Sequence, residues 1–439
     1  MLNREKPGRG VFMSWISRYH LKYFLRSSLC AAPIASMAAA LVAAPLIRML
    51  DERTQWTIMG FGLDGSRAVV SALTASLLTF MVFAFSSILL AVQIAGGQLS
   101  PRIIARIFEK RLTKLSLSTF VFSFTYTLAA LGRIEGRVPQ LTVQVAVIAS
   151  LLSVAVFLYL IQEVSRGLRP IAILTQVGAD TRSVISDFYP DLFDAGTAEN
   201  AWPDFKTLPV RKIVPHIGHP GVVVEFDATG LVEIARRAGA IIELIPQIGD
   251  FMAPGDDLFC LHGENISAAD IGALRRCIAL GPERTLDQDP AFGLRILVDI
   301  AIKALSPAIN DPTTAVLAID QIHHLLHLLG DRQLSKSIVR DSSGEIRLVY
   351  RTPCWEDFVT LAVTEIRLCG AQSPQVTRRL KAMLEHLVLV APPQRSETLS
   401  KEMALLQRTI ENGFVDPEDR NIAGVGDLQG LGSPQHKRN

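Results

Sequence analysis

The chain has 439 residues and only five cysteines, Cys30, Cys260, Cys277, Cys354 and Cys369, scattered and with no CxxC pair. That spacing supports neither a disulfide framework nor a zinc site, and it suits a reducing compartment for whatever part is soluble. Also missing are the local signatures of common enzymes: there is no GxGxxG fingerprint, no P-loop, no GxSxG elbow and no kinase set. No cofactor and no nucleic acid is therefore expected, and no internal repeat is visible. The most informative absence is charge. No ionisable side chain lies between Arg67 and Arg102. This gap exceeds the roughly 20 apolar residues that cross a hydrocarbon core, and a charge at its centre would cost about 2.5–3.5 kcal/mol to insert.

The gap predicts a membrane helix over Ala68–Ile94, loosened by Gly96–Gly97 and followed by a new start at Ser100-Pro101-Arg102. Three more charge-free runs accompany it, Ser27–Ile47, Leu115–Gly132 and Val138–Gln162. The first follows a basic tail carrying Arg4, Lys6, Arg9, Arg18, Lys22 and Arg26 against one Glu5. Its length favours a retained helix over a cleaved signal, whose apolar core is usually about 7–15 residues. Ala31, Ala35, Ala39 and Ala43 repeat every fourth residue, either as a ridge for close helix approach or as plain alanine richness. Pro101–Lys114 reads as an amphipathic helix with a basic face, suited to anionic headgroups or to packing on the soluble part. The basic tail, the Arg102–Lys114 segment and the C-terminal part then share one side. The loops Arg48–Arg67 and Arg133–Arg137 share the other, and the positive-inside rule puts both termini in the cytoplasm of a bacterium, with the helices in its inner membrane.

Beyond Gln162 the pattern changes. Glu163–Phe188 reads as a helix leaving the membrane, and Tyr189–Phe205 as a loop or linker. Gly221–Phe226, Ala240–Pro246 and Leu258–Leu261 read as strands, with a helix at Gly230–Ala238. The turns around Ile248–Leu261 weakly resemble those of biotinyl or lipoyl barrels, without their lysine. Helices are expected at Ala268–Leu280, Ala291–Leu305, Thr313–Leu329, Glu356–Cys369, Gln375–Val390 and Ser396–Gly413, and a hairpin over 337–350 around Asp341–Gly344. The expected fold is an α-helical membrane domain of four transmembrane helices plus a soluble, mainly α C-terminal domain containing a small α/β piece. Its divisions are a basic tail at 1–26, the membrane domain at 27–162, a juxtamembrane helix and linker at 163–207, an α/β subdomain at 208–265, a helical subdomain at 266–415 and a disordered tail at 416–439.

Two stretches stand out chemically. In Phe292–Ala315, Arg295, Asp299 and Lys303 are spaced for ion pairs along one helix face. Ser306-Pro307 breaks that helix, and Asp311 with Pro312 starts the next, giving a polar corner that bears Ser306, Asn310 and Asp311. In the membrane part, Gln93-Ile-Ala-Gly-Gly-Gln-Leu-Ser-Pro-Arg102 places Gln93, Gln98, Ser100 and Arg102 together. These two motifs resemble the hallmarks of a family of predicted bacterial integral membrane proteins with a domain of unknown function. The resemblance runs from the first helix to about Gly413. It implies a multi-helix membrane domain with a soluble C-terminal domain and implies no activity.

Functional expectations remain plural. Hydroxyls on the second helix (Ser71, Thr74, Ser76, Thr79, Ser86, Ser87, with Gln93) and on the third (Ser116, Ser118, Thr119, Ser123, Thr125, Thr127, with Tyr126) either line an aqueous path or join packed helices. No intramembrane Asp, Glu, His or Lys offers a proton relay. The leading expectation is a homo-oligomeric channel or transport-related protein with a cytoplasmic regulatory domain. The alternative is a membrane-anchored scaffold whose corner binds a cytoplasmic protein or small ligand. Weaker still is an enzyme using Asp299, Ser306 and Asp311. Asp320, His323 and His327 share a helix at metal-compatible spacing, but without HExxH they read first as polar-edge residues, and His216 and His219 likewise. No residue is expected to be catalytic, cofactor-binding or metal-ligating.

Overall fold

The computed structural model describes residues 15–19, 24, 28–54, 60, 62–98, 111–134, 138–194, 212–263, 267–334 and 338–431. Two compact units emerge, Lys22–Ile173 and a second formed by Met1–Leu21 with Leu174–Asn439.

The first unit holds four helices long and apolar enough to cross a membrane: α1 (Ala31–Thr54), α2 (Leu63–Gln98), α3 (Arg111–Leu131) and α4 (Gln140–Gly167). Their surfaces are apolar outward. Leu78, Phe83 and Leu90 on α2 and Ile148, Leu151 and Leu158 on α4 are all exposed, as lipid-facing side chains must be where the solvent is hydrocarbon. The packing surface of α1 is not the expected Ala31, Ala35, Ala39, Ala43 ridge, of which Ala35 and Ala39 are exposed, but the face one position on. Ala40 and Ala44 are buried against Tyr126 of α3 and Ala146 of α4, where small side chains let backbones approach. A second cluster joins Ala84, Phe120 and Phe157 from α2, α3 and α4.

Arg48–Arg67 is mostly helical rather than a loop, because α1 runs to Thr54 and α2 begins at Leu63. The extra turns are fastened by polar contacts that charge-run reading could not anticipate. Asp51 accepts from the Leu141 backbone N–H at 3.1 Å, capping the start of α4. Arg67 donates to the Ile134 carbonyl at 2.8 and 3.1 Å. The segment Glu163–Phe188 is likewise two helices. α4 ends at Gly167, and α5 (Pro170–Phe188) starts on a proline, which fits a first turn and cannot continue a preceding helix. The expected amphipathic helix over Pro101–Lys114 lies outside the described residues up to Lys110; α3 takes up the chain at Arg111.

The second unit combines two sheets with a helical layer. Strands β1 (Lys212–Pro215), β2 (Gly221–Phe226), β3 (Ile241–Leu244), β4 (Phe251–Met252), β5 (Asp257–His262) and β6 (Ile278–Gly281) precede β7 (Ile338–Arg340) and β8 (Ile346–Tyr350). One sheet has the order β1-β5-β3-β8-β7, parallel only at β3/β8; the other is β4-β2-β6. Helices α6 (Ala228–Ala238) and α7 (Ala268–Arg275) pack with them, Leu231, Ile234, Leu274, Phe259 and Leu261 sharing one core. Asp227 and Ser267 cap the two helices. The helix expected over Ala268–Leu280 stops at Arg275, and Ile278–Gly281 becomes β6, paired antiparallel with β2. A short apolar run carries no decisive period of its own, so strand pairing decided it.

Then come α8 (Pro290–Ala304), α9 (Pro312–Gly330), α10 (Trp355–Cys369), α11 (Pro374–Val390), α12 (Ser396–Gly413) and α13 (Pro417–Ala423). Asp289 and Asp311 cap α8 and α9 ahead of a proline at the first turn, and prolines also open α11 and α13. Helix α5 packs closely on this layer: a Cβ at Gly293 would collide with Thr181, and one at Gly178 with Gln321. The C-terminal stretch expected to be disordered from 416 is folded through residue 431. The buried Arg378 donates to the Val425 carbonyl at 3.1 Å, and Gln375 donates to the Gly430 carbonyl at 2.6 Å. Polarity concealed this, because the tail is fastened through its backbone carbonyls rather than through an apolar face.

Candidate functional site

The corner between α8 and α9 is built as its caps require. The Leu305 and Ser306 N–H groups bond back to Ala301 and Lys303 at 3.0 and 3.2 Å, closing α8. The Ser306 hydroxyl donates to the Lys303 carbonyl at 2.7 Å, and the Ser306 carbonyl accepts from Ile309 and Asn310 N–H groups at 3.0 and 2.8 Å. Asp311 accepts from both the backbone N–H and the hydroxyl of Thr314, at 3.1 and 2.5 Å. Among the described residues Asn310 is the only non-glycine with positive φ, at 49°. Asn tolerates this left-handed conformation better than most residues, and its side chain is exposed, as are Pro307 and Ala308.

The ionic part of the motif sits elsewhere on the same helix. Arg295 donates to Asp299 at 2.7 Å and grips Glu365 of α10 with both terminal nitrogens, one of them at 2.9 Å. Held between two carboxylates, with Glu365 the stronger partner, the guanidinium is pushed above its ordinary pKa and Glu365 below its own. This clamp fixes α8 to α10. Ser306 lies eleven positions beyond Arg295, past the end of α8 at Ala304 and about 16 Å away at helical rise, so clamp and corner are separate features. Asp299 serves Arg295, Asp311 serves Thr314 and Ser306 serves its own helix end. The three do not converge on a reacting position, and Ser306 has no base against it. Glu365 was not legible as a partner, since nothing in the sequence places α10 beside α8.

The histidines on α9 form no metal set. Asp320 pairs with Arg379 of α11 at 2.7 Å. Arg379 also donates to His323 Nδ1 at 3.0 Å, and His323 Nε2 lies 2.9 Å from Nδ1 of His386. The arginine can only donate, so Nδ1 of His323 is the acceptor and its ring proton sits on Nε2. Burial, then Arg379, then the neighbouring histidines His386, His327 and His324 lower the His323 pKa to about 4. The result is a neutral histidine welding α9 to α11. His216 is tied up locally, with Nε2 3.0 Å from the His219 carbonyl.

In the membrane unit the two hydroxyl-rich helices differ. On α3, Ser116, Ser123, Thr125 and Thr127 are buried. Ser153 of α4 donates to Ser123, which donates to the Ala149 carbonyl, at 2.8 and 2.9 Å. Ser123 and Ser153 thus join α3 to α4, whereas Ser116 and Thr127 bond carbonyls of their own helix, Leu112 and Phe124, at 2.9 Å. On α2 the buried positions are Ser66, Val70, Leu77, Ala84 and Val92, whereas Ser76, Thr79, Ser86 and Gln93 are exposed. At 3.6 residues per turn those polar groups lie roughly 160° from the packed face, on a side they share with the exposed Phe83 and Leu90. Gln98 ends α2, and Ser100 and Arg102 lie outside the described residues.

Residues 26–386 match the family described as Predicted membrane protein (DUF2254). An uncharacterized protein of Mycobacterium bovis and another of Mycobacterium tuberculosis strain H37Rv are each 26% identical over 416 residues, covering 90% of this chain and 79% of the relative. No solved structure matches.

Proposed function

From its membership of the DUF2254 family of predicted membrane proteins, we propose that this chain is a bacterial inner-membrane protein that assembles with copies of itself through α2 into a channel or transport-related complex, with the second unit as its cytoplasmic regulatory domain. The observation that carries this reading is the stripe Ser76, Thr79, Ser86 and Gln93, turned away from the chain's own helices. A hydroxyl facing lipid can bond only its own helix, as Thr79 does to the Ala75 carbonyl at 3.2 Å, whereas one facing a second copy or a water-filled path gains a further partner. Both termini lie in the cytoplasm on this reading. Lys and Arg are in excess in the N-terminal stretch before α1 and in Arg102–Lys114, against Arg48, Arg53, Arg67, Arg133 and Arg137 in the two other connections.

The test uses Thr79→Cys and Ser86→Cys in a background lacking the exposed thiols Cys30 and Cys369. Oxidation in native membranes should link copies through α2, and the wild-type oligomer in liposomes should pass an ion or small solute. Chains that stay monomeric at both positions, or intact oligomers silent over a broad solute panel, count against the proposal.

A second reading, a scaffold that binds a cytoplasmic protein or small ligand at the α8–α9 corner, draws on Asn310. A non-glycine held at φ 49° with its side chain in solvent is strain retained at a presented site. Asn310→Gly keeps the backbone and removes the side chain. Crosslinking from Ala308 should capture a partner in the wild type and lose it in this variant; equal capture, or none in either, argues for a purely structural turn.

A further inference from the structure

We propose that Glu243, Cys260 and His262 form a divalent transition-metal site on the five-stranded sheet, of a class suited to Zn2+. The antiparallel β3/β5 pairing sets Glu243 directly opposite Cys260. His262 follows two residues along β5, so all three side chains leave the same face of the sheet. The opposite face carries Ile242, Leu244, Phe259 and Leu261 into the apolar core, which fixes the register and therefore the trio.

One ligand atom from each residue lies within 4.8 Å of the other two, and His262 Nε2 is 3.7 Å from a Glu243 carboxylate oxygen. Tetrahedral zinc, with bonds of about 2.0–2.3 Å, holds its ligands roughly 3.3–3.8 Å apart. The trio therefore needs at most about 1–1.5 Å of closure between ligand atoms, within the reach of small side-chain rotations. The donor set is one imidazole nitrogen, one sulfur and one carboxylate oxygen, a borderline mixture that selects zinc over Mg2+ or Ca2+. The charges also close. A thiolate and a carboxylate against a dication leave a neutral site, as burial of the Cys260 and His262 side chains demands. Without metal, burial and then the nearby Glu243 charge push the Cys260 thiol pKa up. Binding replaces the thiol proton by the metal and releases that proton to water. Three protein ligands leave the fourth position for water, and Ile213, paired with Cys260 from β1, is exposed and leaves an approach to the rim. Sequence spacing could not reveal the set, since Glu243 and Cys260 come from different strands.

The experiment uses the full chain in detergent, stripped with chelator and titrated with Zn2+ and, as an optical probe, Co2+. One metal ion should bind per chain, and the cobalt form should show a thiolate-to-cobalt charge-transfer band. Cys260→Ser should abolish that band, while Cys369→Ser on α10 leaves it intact. Glu243→Gln, isosteric and at a partly exposed position, keeps the fold and should weaken Zn2+ binding. Loss of an outer-sphere partner alone costs about 10–100-fold, so loss of a direct ligand should cost at least that much. Absence of stoichiometric Zn2+ binding by the folded wild type, a cobalt band that survives Cys260→Ser, or unchanged affinity in Glu243→Gln would overturn the assignment.

Discussion

His323 makes the second unit sensitive to mild acid by a calculable amount. Its Nδ1 is occupied by a donor from Arg379 at 3.0 Å, so a proton can arrive there only by breaking that bond and setting two cations side by side. Burial first, and Arg379 next, hold the folded pKa at about 4 against 6.5 for the free side chain. A histidine whose folded pKa is lowered contributes stability that is complete above pH 6.5, shrinks as pH falls, and is gone below pH 4. Between pH 7.5 and pH 5 the populations change by about 1.5 logarithmic units, or about 2 kcal/mol at 1.36 kcal/mol per unit. Solvent at the ring edge trims this to about 1–2 kcal/mol. The charged and titratable groups around His323 are Asp320, His324 and His327 on its own helix and Arg379 and His386 on α11. The assay is urea unfolding of the full chain in detergent at the two pH values, for the wild type and His323→Gln. The variant should lose a pH-dependent shift in midpoint of roughly 0.5 M, taking a slope of about 2–3 kcal/mol per M. Carboxylates titrate equally in both proteins and cancel in the difference. If His323→Gln keeps the whole wild-type acid sensitivity, the tautomer and the arginine contact assigned here are wrong.

Arg395 should be among the least replaceable side chains in the second unit. Buried, it donates to the Leu329, Gly330 and Arg332 carbonyls at 2.6, 2.7 and 2.8 Å, closing the end of α9 beneath the Trp355 ring. Arg395→Met should cost about 3–5 kcal/mol in unfolding free energy by stranding those carbonyls, and Arg395→Lys, lacking the planar fork, should recover less than half. At the corner, Asn310→Gly should be neutral or slightly stabilising in thermal unfolding, whereas Asn310→Val should lose about 1–2 kcal/mol, because only the second is strained at positive φ.

The caps and breakers were legible because they act through the nearest few residues. Asp311 before Pro312 stops and starts helices by local hydrogen bonding and steric exclusion, and the structure has the same turn. The membrane spans were legible for a similar reason: a charge-free run of that length has one solvent it can live in. Reading failed where identity depended on a distant neighbour. Ile278–Gly281 is a strand only because β2 offers it an edge, and the polar tail beyond Asp416 is ordered only because Arg378 and Gln375 of α11 collect its carbonyls. The candidate corner was visible in outline, but Glu365 as the second partner of Arg295 was not.

The sequence by itself determined where the chain meets lipid and where capped corners such as Asp311-Pro312 start a helix, since solvent preference and capping are properties of short stretches. Tertiary structure alone decided that Ser123 of α3 is tied to α4 while Ser76, Thr79 and Ser86 of α2 face outward, that His323 stays neutral against Arg379, and that Glu243, Cys260 and His262 meet on one sheet face. Each of those outcomes depends on which distant side chain fills the adjacent few ångströms, and packing of the whole fold fixes that choice.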